Sequence, residues 1–287
     1  MIKTGIHSCA YLGRLKLDGF EEGLSKIKAH GYDCIDYSEL SSPNSPLYAM
    51  DENEFESYLR RFGETAKSVG LEICQMHGLW PTFGDETEDG KAKTFEYFVK
   101  EIYAARFLGC PKLVLHPRMP KGWGGGEKQE VIDANVQLLQ DLLPYARENS
   151  VTLCLENMPL KSDRTFSTVE EWKAVLDTVN DPLVKACLDT GHLSAMGVDL
   201  YDAVVQMGDY IVAMHVHDDK FGQDRHLPPF QGNLNWAGFI KGLKEIHFDG
   251  CISLETEISL STPEPMRERM QIELANVARY IADEIEK

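Results

Sequence analysis

The stretch "IVAMHVHD" (residues 211–218) starts as an apolar run and ends in imidazole and carboxylate. Residues 211–214 suit a buried strand. His215, His217 and Asp218 follow, and Asp219, Asp224, Arg225 and His226 crowd the next few positions, ahead of Pro228, Pro229 and Gly232. A core does not want so many ionisable groups, and a solvated loop has no need of imidazoles. A buried strand that opens into a functional loop accounts for both. The same form recurs along the chain. "VTLCLENM" (151–158) ends in Glu156 and Asn157, "KACLDTGH" (185–192) in Asp189 and His192, and "CISLETE" (251–257) in Glu255 and Glu257. Upstream, "KTGIHS" (3–8) carries His7, "CIDYSE" (34–39) Asp36 and Glu39, "LEICQMHG" (71–78) His77, and "KLVLHP" (112–117) His116.

Between these runs lie longer segments with helical spacing. Phe55, Leu59, Phe62 and Ala66 make one face of "DENEFESYLRRFGETAKSVG" (51–70), and Val131, Val136, Leu139, Leu142 and Leu143 make one of another segment. A last helix is expected over residues 265–287. Gly31, Gly70, Gly109 and Gly250 precede strands and read as helix stops. Strands alternating strictly with helices predict parallel strands with crossover helices. Eight such pairs in 287 residues predict an α/β fold, a (β/α)8 TIM barrel, as a single domain over residues 1–287. An open doubly wound sheet is disfavoured, because the turn after the first strand, "HSCAYLGRLKLDG", has no GxGxxG. "GWGGG" (122–126) lacks that spacing and reads as a loop.

Composition narrows the function. Hydrophobic residues make up 43% and charged residues 26% of the chain, as in ordinary globular proteins. No apolar run is long enough to span a membrane, and "MIKTGIHSCAYLG" reads as a first strand rather than a signal peptide. A cytoplasmic location is therefore expected. The net charge of −17 disfavours nucleic acid as a partner, since that binding needs Lys and Arg to neutralise phosphate. The 7 cysteines form no CxxC pair, and Cys34, Cys74, Cys154, Cys187 and Cys251 read as small buried hydrophobes of a reducing compartment.

Barrel active sites form at the C-terminal ends of the strands. Glu156, Asp189, His215 and Glu255 fall there on four consecutive strands. Oxygen and imidazole donors together suit a divalent ion such as Mn, Co, Mg or Zn. At this point the chain resembles the xylose isomerase-like barrels, a family of sugar isomerases, ketose 3-epimerases and endonuclease IV relatives. The resemblance runs through "LENMP", "CLDTGH", "MHVHDD", "DRHLPPFQGNLNW" and "LETE". It implies that Glu156, Asp189, His215 and Glu255 hold one metal, that His192 and Arg225 face the substrate, and that Glu156 and Glu255 move protons. Removing a proton beside a carbonyl yields an enediolate that a metal stabilises, and a second carboxylate on the other face returns a proton. Family members that shift hydride carry Lys two positions after the fifth-strand Glu; here Met158 stands there, which favours proton transfer. A sugar or sugar-phosphate isomerase or epimerase is the expected activity. His77 and Trp123 are further expected substrate contacts, with Trp80 and Trp236 beside the mouth as stacking rings or loop anchors. Arg118, Lys121 and Lys220 could supply charge to a phosphate. On the resemblance, a homo-oligomer is expected.

The resemblance also points elsewhere. Endonuclease IV gathers three zinc ions, and its ligand positions fall here on His77, His116, Glu156, Asp189, His192, His215, Asp224, His226 and Glu255. His77, His116, His192, Asp224 and His226 are therefore additional candidate ligands. His217, Asp218 and Asp219 read as supports for ligands or loop. Against a multinuclear zinc phosphodiesterase stand the acidic loop with Asp85, Glu86, Glu88 and Asp89 and the Arg225–Pro–Gly–Trp segment, which looks like a sugar-enzyme loop. An inosose-type dehydratase, using the same metal and base for β-elimination, is the other alternative.

Overall fold

The computed structural model describes residues 1–12, 19–84, 87–121, 127–158, 168–195, 197–220, 222–256, 258–259 and 261–287. Eight parallel strands run in the order β7-β6-β5-β4-β3-β2-β1-β8. They are β1 (Lys3–His7), β2 (Cys34–Tyr37), β3 (Glu72–His77), β4 (Lys112–Leu115), β5 (Thr152–Glu156), β6 (Val184–Asp189), β7 (Ile211–His215) and β8 (Cys251–Leu254). The principal helices are α2 (Phe20–Ala29), α3 (Glu52–Ser68), α4 (Glu88–Leu108), α5 (Lys128–Asn149), α6 (Val169–Val179), α8 (Leu200–Met207), α9 (Trp236–Glu245) and α10 (Glu264–Glu286), with short helices α1 (Cys9–Leu12) and α7 (Thr190–Ala195) at the mouth. This is the expected TIM barrel. Among the described residues, no helix is long and apolar enough to cross a membrane.

Local chemistry sets the helix ends. Asp51, Thr87, Thr168 and Asn235 cap α3, α4, α6 and α9 by accepting from the backbone N–H groups of Glu54, Gly90, Glu171 and Gly238. Gly31, Gly70 and Gly109 take positive φ after α2, α3 and α4, as their positions predict. Gly250 does not: His247, at φ 54°, turns the chain after α9 instead. Ser150 and Asn180 do the same after α5 and α6. The predicted face of α3 is buried in full. On α5, Val131, Leu139 and Leu142 are buried while Val136 and Leu143 are half-buried, and Asn135, Leu138 and Ala146 complete the covered side.

The barrel closes differently at its last junction. Ladders join every other neighbouring pair, but β7 and β8 meet only past the end of β7, at a bridge between Val216 and Leu254. There Val216 N–H donates to Ser253 O at 2.8 Å and Glu255 N–H to Val216 O at 3.1 Å. Backbone groups alternate sides along a strand, so Met214 and Val212 also face β8. Interior side chains serve them. The Gln75 amide donates to Met214 O at 2.9 Å and accepts from Met214 N at 3.2 Å, and Lys112 Nζ donates to Val212 O at 2.8 Å. A polar residue inside the apolar run of β3 thus completes an otherwise unpaired strand edge.

Candidate active site

The strands deliver their last inward side chains to one end of the barrel. Glu156 ends β5, Asp189 ends β6, His215 ends β7 and Glu255 follows β8. His215 Nδ1 lies 3.1 Å from Glu156 Oε1 and 3.5 Å from Glu255 Oε2, so the two glutamates approach one imidazole from different strands. His77, at the end of β3, places Nε2 3.4 Å from Glu255 Oε1, and His116, just past β4, places Nε2 3.3 Å from Glu156 Oε2. His192 lies on α7 rather than on an extended strand end, because "DTGHLSA" turns helical at Thr190. Its Nδ1 is 3.4 Å from Glu156 Oε1 and its Nε2 3.6 Å from Asp224 Oδ2. His226 Nε2 lies 3.5 Å from Asp224 Oδ1. The nine candidate ligands of the sequence therefore gather at one mouth.

The imidazoles are oriented alike. One ring nitrogen meets a fixed acceptor and the other faces a carboxylate. His77 Nδ1 meets Gly78 O at 2.9 Å, His116 Nδ1 meets Leu79 O at 3.1 Å and His226 Nδ1 meets Glu255 O at 2.9 Å. His192 Nδ1 meets Asn157 O at 2.8 Å, while His215 turns Nε2 toward Asp36 Oδ2 at 3.1 Å. Such partners fix the ring and leave one nitrogen for a ligand. Asp36 is in turn held by the Gln75 amide at 2.8 Å. Asp36 stood out in the sequence only as a strand-end carboxylate, and its service to His215 across the barrel needs the fold to be seen.

The electrostatics agree with a cation site. Burial pushes the Glu156 and Glu255 carboxyls up, but His215 and the other surrounding histidines together outweigh it and hold both below the usual range. Asp189 is buried too, yet His192 and His217 draw it down to about 2. Burial pushes His116 down to about 3, which keeps its ring neutral and able to donate a lone pair. The donor atoms of Glu156, Asp189 and His192, and those of His77, Glu156 and His215, lie within 4.8 Å of one another. Glu156 Oε2 and Asp224 Oδ1 are buried without a hydrogen-bond partner. Buried carboxylate oxygens left so are costly, and coordination to a cation would satisfy each. The residues present fit such an ion.

Beyond the donors opens a pocket of about 690 Å³. His7, Ser38, Glu39, Ser42, Trp80 and Arg225 are among the residues lining it. Arg225 is exposed on the rim, with its guanidinium on the Gln223 side-chain oxygen. Trp80 packs against His116 with ring centroids 4.8 Å apart. Trp236 is instead a loop anchor: its indole N–H donates to buried Asp218 Oδ2 at 2.8 Å. Asp218 also accepts from Gly232 N and Leu234 N, and Asp219 from Gln223 N and Arg225 N, so this pair shapes the loop as its sequence suggests. His217 stacks on His226 at 4.1 Å and reaches Asp189 Oδ2 at 3.1 Å. Trp123, the "GWGGG" segment and Glu257 lie outside the described residues. Arg118 donates to Lys91 O and Lys121 pairs with Glu130. The acidic loop divides: Asp85 and Glu86 lie outside the described residues, whereas Glu88 and Asp89 form the first turn of α4, where the helix dipole favours them.

The model of the xylose isomerase-like TIM barrel family matches residues 24–275. An uncharacterized protein of Methanocaldococcus jannaschii is 27% identical over 287 residues, covering 96% of this chain and 92% of the relative. A probable endonuclease 4 of Metamycoplasma arthritidis is 26% identical over 269 residues, covering 89% and 93%. A D-psicose 3-epimerase of Enterocloster bolteae is 26% identical over 268 residues, covering 88% and 82%. Among solved structures, D-psicose 3-epimerase from Clostridium cellulolyticum H10 superposes with a TM-score of 0.79 at 15% identity, covering 98% and 99%. The IOLI protein with a bound zinc atom does so with a TM-score of 0.76 at 22% identity, covering 99% and 98%. At these identities the solved structures speak for the fold alone. With its eight-stranded barrel and a family match across most of its length, the chain belongs to the xylose isomerase-like TIM barrel family.

Proposed function

We propose that the protein is a divalent-metal-dependent sugar or sugar-phosphate isomerase or epimerase that works by proton transfer. One observation carries this reading: Glu156 and Glu255 reach the same His215 nitrogen, at 3.1 and 3.5 Å, from β5 and from the end of β8. Two carboxylates so placed can attend opposite faces of a substrate held between them. A divalent ion bound by Glu156, Asp189, His215 and Glu255 supplies Lewis acidity that makes a proton beside a carbonyl easier to remove. One glutamate then takes that proton and the other delivers one to the opposite face. His192 and Arg225 hydrogen-bond substrate oxygens. Ser38, Ser42 and Glu39 offer the pocket hydroxyl and carboxylate partners for a polyol, with Trp80 as a tryptophan face among the described residues. The epimerase named among the relatives supports this reading.

The test is solvent exchange. The metal-loaded protein in deuterium oxide should place deuterium on the carbon beside the ketose carbonyl. Glu156→Gln and Glu255→Gln should each lower the exchange rate by about 10²–10⁴-fold. Nuclear magnetic resonance of recovered sugar reads the result. No exchange across a panel of ketoses and ketose phosphates would sink the proposal.

A second reading has its own observation. Donor atoms of His217, Asp224 and His226 form another group within 4.8 Å, beyond the four donors used above. A multinuclear phosphodiesterase would use Asp224 and His226 of this group as ligands, as the endonuclease 4 names among the relatives suggest. Elemental analysis separates the two: about one ion per chain favours the sugar enzyme, and about three zinc ions favour hydrolysis of a phosphate ester.

A further inference from the structure

The opposite end of the barrel holds a second cluster. Cys34 opens β2, Cys251 opens β8 and Cys74 lies in β3, so these thiols gather toward the N-terminal ends of the strands, away from the mouth. Their sulfurs lie within 4.8 Å of one another. Cys34 is fully buried, and Cys74 and Cys251 are 8% and 4% exposed. The three group together, apart from the main core.

Gly5 makes this convergence possible. It lies on β1, between β2 and β8, paired with Cys34 on one side and Ser253 on the other. A Cβ at Gly5 would sit 2.9 Å from Cys251 Sγ and 3.4 Å from Cys34 Cβ. The space a side chain would fill is taken by sulfur from the neighbouring strands. Plain hydrophobic filling would not require a glycine gap or cysteine at all three facing positions.

An approach exists. A second pocket, of about 900 Å³, opens at this end and is lined by Cys74 and Cys251. Glu64, Glu72 and Asp249 line it together with Lys3, Lys67 and Lys112, so acidic and basic groups balance along the approach. Lys3 is held by Glu72 at 2.6 Å. In the thiol form, Cys74 S–H donates to Ile35 O at 3.3 Å.

We propose that Cys34, Cys74 and Cys251 form a three-sulfur site for one thiophilic cation of the Cu(I) class, separate from the divalent site at the mouth. Soft thiolates select such ions over the hard ions that carboxylates prefer. A metal about 2.3 Å from each of three coplanar sulfurs needs the sulfurs about 4.0 Å apart, which a cluster no wider than 4.8 Å can reach by small side-chain rotations. On binding, three S–H protons pass to solvent as three sulfur–metal bonds form. Copper stays in the +1 state, so no oxidant or reductant is required.

The experiment titrates the whole, fully reduced protein with Cu(I) as its acetonitrile complex, without oxygen and after divalent metal has been removed. The readout is the ultraviolet charge-transfer band of copper thiolate, which imidazole and carboxylate sites do not produce. The expected result is a band that saturates at one copper per chain. It should be lost in Cys34→Ser, Cys74→Ser and Cys251→Ser and kept in Cys110→Ser. If a serine variant fails to fold, X-ray absorption at the copper edge of the loaded wild-type protein decides the point: three sulfur neighbours are expected, and nitrogen or oxygen neighbours instead would overturn the proposal. A missing band, a band that survives the three substitutions, or a disulfide among these residues in the isolated protein would overturn the proposal.

Discussion

At the scale of single residues, the mouth is governed by which ring nitrogen is engaged. Asp36 holds His215 through Nε2 and so presents Nδ1 to the glutamates. Asp36→Asn keeps the shape but lets the amide donate where a carboxylate accepted. Metal affinity should fall by about 10–100-fold, as when such supporting groups are removed elsewhere. Competition with a calibrated chelator measures it, and an unchanged affinity would mean that Asp36 does not orient the ring. Glu156, Asp189, His215 and Glu255 were legible in the sequence because each interrupts an apolar run at its end. The supporting residues were not. Gln75 looks like a stray polar residue in β3, and only the fold brings it against Met214, far along the chain. Cys34, Cys74 and Cys251 likewise read as ordinary buried thiols until β1, β2, β3 and β8 are set side by side.

At the scale of elements, alternating strands and helices were readable because apolar periodicity and caps are local. Contacts between elements are not. Gly63 sits inside α3, where propensity alone would favour Ala by about 0.8–1.0 kcal/mol. Yet a Cβ there would lie 2.4 Å from Leu108 O, a backbone atom at the end of α4. Overpacking against something that cannot rotate away costs about 1–3 kcal/mol. The clash wins, so Gly63→Ala should destabilise the protein by roughly 1 kcal/mol. Urea unfolding measures this, and a stabilised variant would show that α3 and α4 can part freely. The short helix α7 was unreadable for a related reason: six residues give no periodicity, and Asp189 Oδ1 settles it by accepting from His192 N at 2.6 Å.

At the scale of the whole molecule, one buried acid couples stability to pH. Burial raises the Glu101 carboxyl from 4.5 to about 8, with Tyr48 O–H donating to it at 2.5 Å. The folded chain therefore keeps a proton that the unfolded chain loses. The stability this supplies is fully present below about pH 4.5 and is lost as pH rises through about 8, at no more than about 1.4 kcal/mol per pH unit. Glu101→Gln is neutral at every pH. Its urea midpoint should gain on the wild type between about pH 6 and about pH 8.5. Parallel midpoints would show that Glu101 is ionised in the fold.

The junction between β7 and β8 has a mechanical consequence. A barrel is a hoop, and this hoop is fastened at one place, where Val216 and Leu254 bridge. His215 and Glu255 stand on the two sides of that fastening, 3.5 Å apart. The proposed ion, held by both, would be a clasp, and its removal would leave the Val216–Leu254 bridge as the backbone fastening there. Chelation should loosen the hoop there first. Amide hydrogen exchange at Val216 and Glu255 should quicken on metal removal, while the β4–β5 ladder keeps its protection. Uniform change around the barrel would mean that the ion stabilises the fold without closing it.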